Sequence, residues 1–380
     1  MITSKDKMMT VRLITTSRAD YGIYASLLTA LEADPAIDLQ LVVAGTHLSK
    51  EHGYTVTAIE LDGYQIAGRV ETVPSDDSPA GIARMLGEAT RKFADLWAEI
   101  ADNTDWVIAL GDRYEMFAAV AATVPFNLRV AHLHGGETSL GAIDDKFRHA
   151  ITVMSTAHFT ATAAYADRVT ELIGSERSVH YVGAPALDGL EEMELFEPQE
   201  MLPTFGTDFS EPPILVTFHP ETVATKRNQV YGEALCSALA RLSGQYPVVI
   251  TMPNADTMGS VLRQQFNNLA DDNDRITTIE NFGKKGYFSA MKHCAFLLGN
   301  TSSGIIEAAS FGKYAINLGN RQDGRMRSPN LIDVEVDEQA ILSAVDILRT
   351  KGFLYAGDNV YRKDSPAAAA IVAALKAAND

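Results

Sequence analysis

Cysteine is scarce in this chain, which has only Cys236 and Cys294 among its 380 residues. Both lie in apolar, helix-like patterns, so they indicate neither a disulfide framework nor a metal-binding pair. The sequence also lacks a run of about 20 apolar residues, the length that a membrane-spanning helix requires. Its first residues, MITSKDKMMTVRLITTS, contain no apolar stretch long enough for a secretory signal peptide. Together these absences predict a protein of the reducing cytoplasm.

Positive charge is also in short supply. The 49 acidic residues outnumber the 32 basic ones and give a formal net charge of −17. This excess argues against a nucleic-acid or anionic-membrane partner. It does not exclude an anionic ligand, because a binding site can concentrate positive charge locally.

Short β-branched runs alternate with helical patterns along the whole chain. The predicted strands are VRLITTS, LQLVVAG, WVIALGD, RVAHLHG, AHFTAT and VHYVGA in the first half, and ILVTFH, VVITMP, RITTIE, FLLGN and YAINLG in the second. Apolar residues between positions 82 and 100 recur at helical spacing and predict one long amphipathic helix. Strands that alternate with helices predict parallel sheets covered on both faces.

A polar, proline-containing stretch, residues 190–213, separates the two series of strands. The sequence therefore predicts an α/β protein of two doubly wound, Rossmann-like domains, residues 1–185 and 186–364. A closing helix at 365–380 is expected to pack back on the first domain. Seven polar clusters follow strands from both halves: TTSRADYG, AGTHLS, GDRYE, HLHGGE, FHPET, MPNAD and GNTSSG. Because ligands bind beyond the carboxyl ends of parallel strands, these clusters predict one site in a cleft between two facing domains.

Arginines in two of these clusters are candidate phosphate ligands. Arg18 and Arg113 each come directly after a strand, and a guanidinium group binds phosphate oxygens in pairs. The alternative is a salt bridge to the adjacent Asp20 or Asp112. Arg321, in GNRQDGR, is a third candidate, and its alternative is a solvated loop residue.

The segment LLGNTSSGIIEAASFGK, residues 297–313, predicts a strand, a serine-rich turn and a helix. Backbone amides at a helix start bind anions, and the hydroxyls of Ser302 and Ser303 add donors. Glu307, one turn later, is placed to accept hydrogen bonds from a pair of sugar hydroxyls. The alternative is that a serine only caps the helix. No GxGxxG or Walker pattern occurs in the chain.

The segment HLHGGETSLGAIDDKFRHAI, residues 132–151, gathers histidines, carboxylates and an arginine around a glycine pair. If the strand continues through it, His132 and His134 point to one face, after which Gly135 and Gly136 allow a sharp turn. Downstream, helical spacing predicts one polar face and one buried face. The polar face comprises Asp145, Arg148, His149 and Thr152, and the buried face comprises Phe147, Ile151 and Met154.

A metal site at His132, His134 and Glu137 is an alternative, although no further ligand occurs at the usual spacing. His132 by itself is also consistent with a buried, hydrogen-bonded core histidine. His219, in TFHPET, follows a strand and is expected to face the cleft. Its alternative is a capping or core histidine.

Taken together, SRADYG, GTHLS, GDRYE, HLHGGE, DDKFRHAI, FHPET, NADTMG, GNTSSGIIE and NLGNRQDGR resemble the hydrolysing UDP-N-acetylglucosamine 2-epimerases. These enzymes make N-acetylmannosamine for sialic acid synthesis. The resemblance covers nearly the whole chain with the motifs in order, and it implies the GT-B architecture of two facing Rossmann-like domains.

By position, the resemblance also implies two sets of site residues. The first set binds the UDP-sugar: Arg18, Ala19, His47, Arg113, His219, Asn254, Phe282, Ser302, Ser303, Gly304, Glu307 and Arg321. Within it, Arg18, Ala19 and Arg113 are expected on the diphosphate side, Glu307 at the ribose and Phe282 near the uracil. The second set is catalytic: Asp20, Asp112, His134, Glu137, Asp145 and His219. Non-hydrolysing relatives and the animal enzyme have glutamate in place of His134, whereas bacterial hydrolysing members have histidine.

The implied reaction is elimination of UDP to a glycal and addition of water, with inversion at C2. Asp112 and His219 are the first candidates for proton transfer, assisted by His134 and Asp145. No metal or NAD is expected, and UDP is part of the substrate and product. The alternatives are the same reaction on UDP-2,4-diacetamido-2,4,6-trideoxyglucose, a non-hydrolysing epimerase, a GT-B glycosyltransferase and a non-catalytic UDP-sugar sensor. The family suggests a homodimer or a dimer of dimers.

Overall fold

Thirteen β-strands form two parallel sheets within the residues that the computed structural model describes, which are 8–74, 76, 78–139, 143–220, 227–253 and 259–379. The chain divides into two units accordingly. The first comprises Met1–Glu137, Asp144–Gly189 and Tyr361–Asp380, and the second comprises Thr138–Ile143 and Leu190–Val360. The divisions after residues 189 and 360 lie close to those expected after residues 185 and 364. The grouping of residues 138–143 with the second unit was not predicted.

The sheet of the first unit has seven strands: β1 (Met9–Thr15), β2 (Ile37–Ala44), β3 (Ile66–Val70), β4 (Trp106–Leu110), β5 (Val130–Leu133), β6 (Ala157–Thr160) and β7 (Val179–Tyr181). Their order is β3-β2-β1-β4-β5-β6-β7, and every pairing is parallel. All seven residues of β1 are buried, including Arg12 and two threonines, as expected for a central strand of a parallel sheet that is covered on both faces. The order of the strands reverses between β1 and β4.

The sheet of the second unit has six strands: β8 (Ile214–Thr217), β9 (Val248–Thr251), β10 (Ile276–Ile279), β11 (Phe296–Gly299), β12 (Ala315–Leu318) and β13 (Leu331–Val334). Their order is β10-β9-β8-β11-β12-β13, again with parallel pairings, and it reverses between β8 and β11. The predicted parallel, doubly wound sheets are therefore confirmed. The sequence patterns did not predict β3 and β13, each of which is an edge strand.

Helices cover both faces of each sheet. Those of the first unit are α1 (Arg18–Glu32), α2 (Val56–Leu61), α3 (Pro79–Ile100), α4 (Tyr114–Thr123), α5 (Asp144–Met154), α6 (Ala163–Ile173) and α13 (Ala367–Ala377). Those of the second are α7 (Pro198–Phe205), α8 (Asn228–Leu242), α9 (Gly259–Asp271), α10 (Gly283–His293), α11 (Ser302–Ile306) and α12 (Glu338–Lys351). None of the described helices is long and apolar enough to cross a membrane.

Successive residues of β1 show how the two faces are filled. Leu13 belongs to the core cluster beneath α1, α2 and α13, whereas Ile14 belongs to the cluster beneath α3, α4 and α5. The long helix predicted at residues 82–100 is α3, which begins with Ser78 as its N-cap and Pro79 in its first turn. Its Phe93 and Trp97 are completely buried in the second cluster.

The helix α13 belongs to the first unit, although it follows the residues of the second unit in the sequence. Its Ile371 and Leu375 join the core cluster that contains α1. The carboxylate of Asp188 accepts hydrogen bonds from the backbone N–H groups of Ala367 (2.9 Å) and Ala368 (2.8 Å). A carboxylate at this end satisfies amides that have no partner within the helix and interacts favourably with its dipole.

Candidate active site

The polar clusters follow the strands at which each sheet reverses its order. In the first unit they follow β1 and β4, together with the neighbouring β2 and β5, and in the second unit they follow β8 and β11, together with the neighbouring β9. Such reversals are where open parallel sheets bind ligands. Each unit therefore carries one half of the predicted residue set.

Asp20 closes the turn between β1 and α1. Its carboxylate accepts hydrogen bonds from the backbone and hydroxyl of Thr16 (both 2.7 Å) and from the backbone N–H (3.1 Å) and hydroxyl of Ser17. Ser17 and Asp20 together form a capping box. The Asp20 carboxylate thus shapes the turn, and it forms no salt bridge with Arg18. Arg18 and Ala19 are exposed, and none of the described residues forms an ion pair with Arg18.

His47, in the turn after β2, is completely buried. Its ring nitrogens lie 2.9 Å from the hydroxyl of Thr15 and 2.7 Å from the hydroxyl of Thr55. Burial lowers the pKa of the imidazole from its usual value. With both nitrogens occupied, His47 supports the turn that follows β2. Its predicted contact with substrate stays a prediction.

Asp112 and Arg113, which follow β4, do not form the salt bridge with each other that was the alternative prediction. Arg113 forms a two-pronged contact with Glu115, with nitrogen–oxygen distances of 3.2 and 3.3 Å, and Glu115 is almost completely buried. Asp112 pairs instead with Arg148 of α5. Because the Arg113 side chain is 29% exposed, it retains access to an anion at this edge of the sheet.

His132 is a core histidine. Its Nε2 lies 2.8 Å from the carbonyl oxygen of Gly111, and its Nδ1 lies 3.1 Å from the hydroxyl of Thr152. Because a carbonyl only accepts hydrogen bonds, Nε2 carries the proton. Burial lowers the pKa of His132 to about 3, so the ring is neutral near pH 7. His132 is therefore a structural link between β4, β5 and α5.

The expectation that His132 and His134 share a strand face is wrong. The strand β5 ends at Leu133, and His134 has a positive φ of 63°, in the left-handed region. The turn continues through Gly136, at φ 78°, where an added Cβ would lie 2.4 Å from the carbonyl oxygen of Tyr165. Only glycine fits at that position. His134 therefore lies in the turn and not in the strand, so the alternation of strand faces does not set the direction of its side chain.

A buried charge cluster lies beside this turn. The Nδ1 atom of His134 lies 2.5 Å from Oε1 of Glu137, and Glu137 Oε2 lies 3.7 Å from the guanidinium of Arg148. Arg148 also donates to the carbonyl oxygen of His134 (2.9 Å) and to Asp112. The cluster thus joins the ends of β4 and β5 to α5. It brings together three predicted catalytic residues, Asp112, His134 and Glu137.

The predicted division of α5 into a polar and a buried face is also wrong in part. Arg148 and Thr152 are completely buried with Ile151, whereas Phe147 and Met154 are only partly buried. The polar residues are buried because they meet the cluster and His132. Asp145, a predicted catalytic residue, lies 3.5 Å from Nε2 of His149 one turn along the same helix.

In the second unit, His219 follows β8 and is clamped by Asn300, which follows β11. The Asn300 side chain accepts from the His219 backbone N–H (2.7 Å) and donates to its carbonyl oxygen (2.8 Å). The Gln322 side chain in turn donates to the Asn300 carbonyl oxygen (2.8 Å). This clamp fixes the backbone of His219 at the reversal of the sheet. Neither Asn300 nor Gln322 was among the predicted site residues.

The serine-rich turn after β11 starts a helix of only five residues, Ser302–Ile306, so it is much shorter than expected. Thr301, rather than a serine, is its N-cap and accepts from the Ser303 backbone N–H. Ser302 and Ser303 are partly exposed, whereas Gly304 is buried. The hydroxyls of both serines therefore remain candidate donors, but the dipole of so short a helix is small.

Glu307 is the most perturbed carboxylate of this half. Burial raises its pKa to about 7, even though the Ser303 side chain and the charges of Lys284 and Arg325 favour the ionised form. Its Oε2 atom is buried and has no hydrogen-bond partner among the described residues. A carboxylate oxygen without a donor suits a ligand that brings hydroxyl groups.

The remaining predicted residues of the second unit have varied surroundings. Phe282 is buried and packs edge-to-face on Phe205, with ring centroids 5.1 Å apart. Arg321 is half-buried. Asn254 lies outside the described residues. Across the described parts of the chain, no group of three or more His, Cys, Asp and Glu side chains is arranged to hold a metal ion.

Comparison with known proteins identifies relatives along almost the whole chain. Residues 29–376 match the protein family described as UDP-N-acetylglucosamine 2-epimerase. A Legionella pneumophila protein named UDP-N,N'-diacetylbacillosamine 2-epimerase (hydrolyzing) is 33% identical over 332 residues, which cover 87% of this chain and 86% of that protein. An Escherichia coli protein named polysialic acid biosynthesis protein P7 is 32% identical over 362 residues, 94% of this chain and 91% of that protein.

The fold is shared with a solved structure as well. The crystal structure of UDP-GlcNAc 2-epimerase from Neisseria meningitidis bound to UDP-GlcNAc aligns with a TM-score of 0.81 and covers 97% of this chain and 100% of that chain. The sequences are only 16% identical. At that identity the likeness shows the fold alone, which is the pair of Rossmann-like parallel-sheet domains.

Proposed function

The chain belongs to the UDP-N-acetylglucosamine 2-epimerase family, and on that premise we propose that it is a hydrolysing 2-epimerase of a UDP-linked 2-acetamido sugar. It releases UDP and yields the free sugar with inverted configuration at C2. The observation that carries this proposal is the buried cluster of Asp112, His134, Glu137 and Arg148, which places proton-transfer groups at the ends of β4 and β5.

The chemistry requires both charge stabilisation and proton transfer. The C2 proton has no adjacent carbonyl to acidify it, so breaking of the C1–O bond must lead. That bond breaks with its electron pair passing to UDP, the C2–H bond breaks, and a C1–C2 double bond forms. Water then adds a hydroxyl at C1 and a proton at C2 on the opposite face. The electrons balance without an oxidant or reductant, so we propose that neither NAD nor a metal is required.

The residues of the two units suit different parts of this reaction. In the first unit, we propose that Arg18 and Arg113 stabilise the departing diphosphate, the electrostatic role that often dominates catalysis. In the second unit, Glu307 is suited to accept hydrogen bonds from ribose hydroxyls, and Ser302 and Ser303 to donate to phosphate. His219, held by its backbone clamp, remains a candidate for proton transfer.

Two sugars are candidates. The family description and the resemblance of the motifs favour UDP-N-acetylglucosamine, with N-acetylmannosamine as the product. The relative that is 33% identical is named for a diacetylated sugar, which supports UDP-2,4-diacetamido-2,4,6-trideoxyglucose as the second candidate. Incubation with each nucleotide sugar in turn, followed by NMR of the products, separates them. The family resemblance also supports a homodimer or a dimer of dimers, which sedimentation equilibrium measures directly.

The experiment that tests the reaction is turnover in D₂O without NAD and with divalent metals chelated. We expect UDP in equal amount to a free 2-acetamido sugar of manno configuration that carries deuterium at C2. A free sugar with protium at C2 would overturn the proposal, because no proton exchange with solvent would have occurred. Deuterium at C2 of a sugar still attached to UDP would instead show a non-hydrolysing epimerase.

A further inference from the structure

The turn after β5 holds the imidazole of His134 with one ring nitrogen engaged and the other unpartnered. Its Nδ1 lies 2.5 Å from Oε1 of Glu137. Its Nε2 is buried and has no hydrogen-bond partner among the described residues. The positive φ of 63° at His134 is rare for a residue with a side chain and persists only where the surroundings impose it. An imposed conformation and an unpartnered buried nitrogen together indicate that Nε2 is available to interact with a bound ligand.

Glu137 determines which nitrogen of His134 carries the proton. An ionised carboxylate only accepts hydrogen bonds, so Nδ1 must be the donor in this contact. In the neutral ring Nε2 is then a bare proton acceptor. If Nδ1 were instead the bare nitrogen, two acceptors would face each other at 2.5 Å, which is unfavourable. The contact therefore selects one tautomer as well as one ring orientation.

Arg148 fixes both members of this pair. Its guanidinium donates to the backbone carbonyl oxygen of His134 at 2.9 Å and lies 3.7 Å from Oε2 of Glu137. It also pairs with Asp112, so that three anchors hold one almost completely buried cation. Asp112 is thereby committed to Arg148, whereas Nε2 of His134 is not committed to any described group.

We propose that Glu137 is a positioning residue that fixes His134 as the tautomer protonated on Nδ1, and that His134 accepts the C2 proton at Nε2. This rests on the proposed 2-epimerase reaction. The C2–H bond breaks, its electron pair forms the C1–C2 double bond as UDP departs, and the proton converts the ring to an imidazolium. The Glu137 carboxylate then stabilises that positive charge. The charged and titratable groups recorded around the turn are Glu137, Arg148, Asp112, His132 and, through a hydrogen bond to the Gly136 carbonyl oxygen, Arg168 of α6.

Glu137→Gln tests the positioning role, because it keeps an oxygen that can accept from Nδ1 but removes the charge. We expect kcat to fall about 10²-fold, the low end of what a positioned base contributes, while KM changes less than about threefold. Loss of the neighbouring negative charge disfavours the imidazolium, so the acidic limb of the kcat profile should move to lower pH. A residue that merely supports the fold would lower stability without moving that limb.

Asp105→Asn is the matched control. It also removes a carboxylate from the first unit, one that accepts a hydrogen bond from the Thr10 backbone N–H at 2.8 Å. Asp105 directly precedes β4, so it lies at the amino-terminal ends of the strands, away from His134. Asp105→Asn should leave the acidic limb in place. An acidic limb that moves equally in both variants, or in neither, would overturn the positioning role of Glu137.

A second measurement on the parent protein does not depend on turnover. Long-range ¹H–¹⁵N correlation of the labelled His134 ring, recorded at a pH where the ring is neutral, should show a protonated Nδ1 and a bare Nε2. In Glu137→Leu the preference for that tautomer should be lost. The opposite tautomer in the parent would overturn the inference even if the enzyme is active. The parent protein could instead show the expected tautomer but turn over neither nucleotide sugar. That result would count against the proposed reaction, and hence against His134 as its base, but not against the pairing with Glu137.

Discussion

Acid should destabilise the first unit through two buried histidines that lie side by side in its sheet. His132 of β5 and His158 of β6 are paired in register, and both are almost completely buried. Burial lowers the pKa of His132 to about 3 and that of His158 to about 4. In the unfolded chain both return to about 6.5. The folded state therefore binds fewer protons than the unfolded state over a wide range of pH.

The sign and size of the effect follow from this difference. Because the folded pKa values are depressed, stability is complete well above pH 6.5 and is lost as pH falls toward 4. Each histidine contributes about 1.4 kcal/mol per pH unit within that window. Between pH 8 and pH 5 the two together remove about 4 kcal/mol from the free energy of unfolding. That is a large part of the roughly 5–15 kcal/mol that stabilises a typical domain.

Urea unfolding followed by tryptophan fluorescence measures this directly, because the chain's two tryptophans, Trp97 and Trp106, are both buried in the first unit. Measurements at pH 8, 7, 6 and 5 stay above the range in which most carboxylates titrate. His158→Phe keeps the ring volume but removes one titrating group, so it should reduce the loss of stability between pH 8 and pH 5 by about 2 kcal/mol. Ile151→Val, a change in the buried core of α5 that removes no titrating group, should leave the dependence on pH unchanged. A parent protein whose stability changes by less than about 1 kcal/mol between pH 8 and 5 would refute the reasoning.

Three further changes probe the candidate site. Because burial raises the pKa of Glu307 to about 7, the affinity for UDP-glucose should fall about tenfold from pH 8 to pH 6 as the carboxylate is protonated. Calorimetry should show no such dependence on pH in Glu307→Gln. An equally steep fall in that variant would exclude Glu307 as the cause. Arg113→Met combined with Glu115→Gln removes both partners of their ion pair, so a loss of about 2–4 kcal/mol in UDP affinity would report the phosphate contact alone. Unchanged affinity in the folded double variant would exclude that contact. His219→Asn should keep most of the UDP affinity but lower turnover by roughly 10²–10⁴, and turnover within a few-fold of the parent would leave His219 a structural histidine.

The interior of the fold was predictable because buried parallel strands are rich in β-branched and other apolar residues. The central strands β1, β4 and β8 are buried along their whole length and were recognised from sequence. The edge strands β3 and β13 were not. They contain glycine, arginine or aspartate within short sequences, IAGRV and LIDV, and most of their residues are only partly buried. The other two edge strands, β7 and β10, were recognised from sequence, so edge position alone does not explain why β3 and β13 were missed.

The placement of the polar clusters at strand ends was predictable, but the pairings of their side chains were not. The clusters lie at the carboxyl-terminal edges of both sheets, because the direction of each strand fixes where its end lies. Partners depend on the ends of neighbouring strands and on the helix that crosses them. Arg148 illustrates this: it was expected on a polar face of α5, but it is buried at the centre of the charge cluster. Likewise, nothing local in the sequence shows that Arg113 prefers Glu115 to the adjacent Asp112.

The position of α13 has a consequence for how the chain is synthesised. This helix covers part of the core beneath α1 and is capped by Asp188, yet a ribosome makes it only after residues 190–360 have been translated. The second unit can fold while the first still exposes the apolar surface that Ile371 and Leu375 will cover. The unit whose translation begins first is thus completed last. During that interval the uncovered core exposes apolar surface, which favours misassociation of the nascent chain and binding by a chaperone.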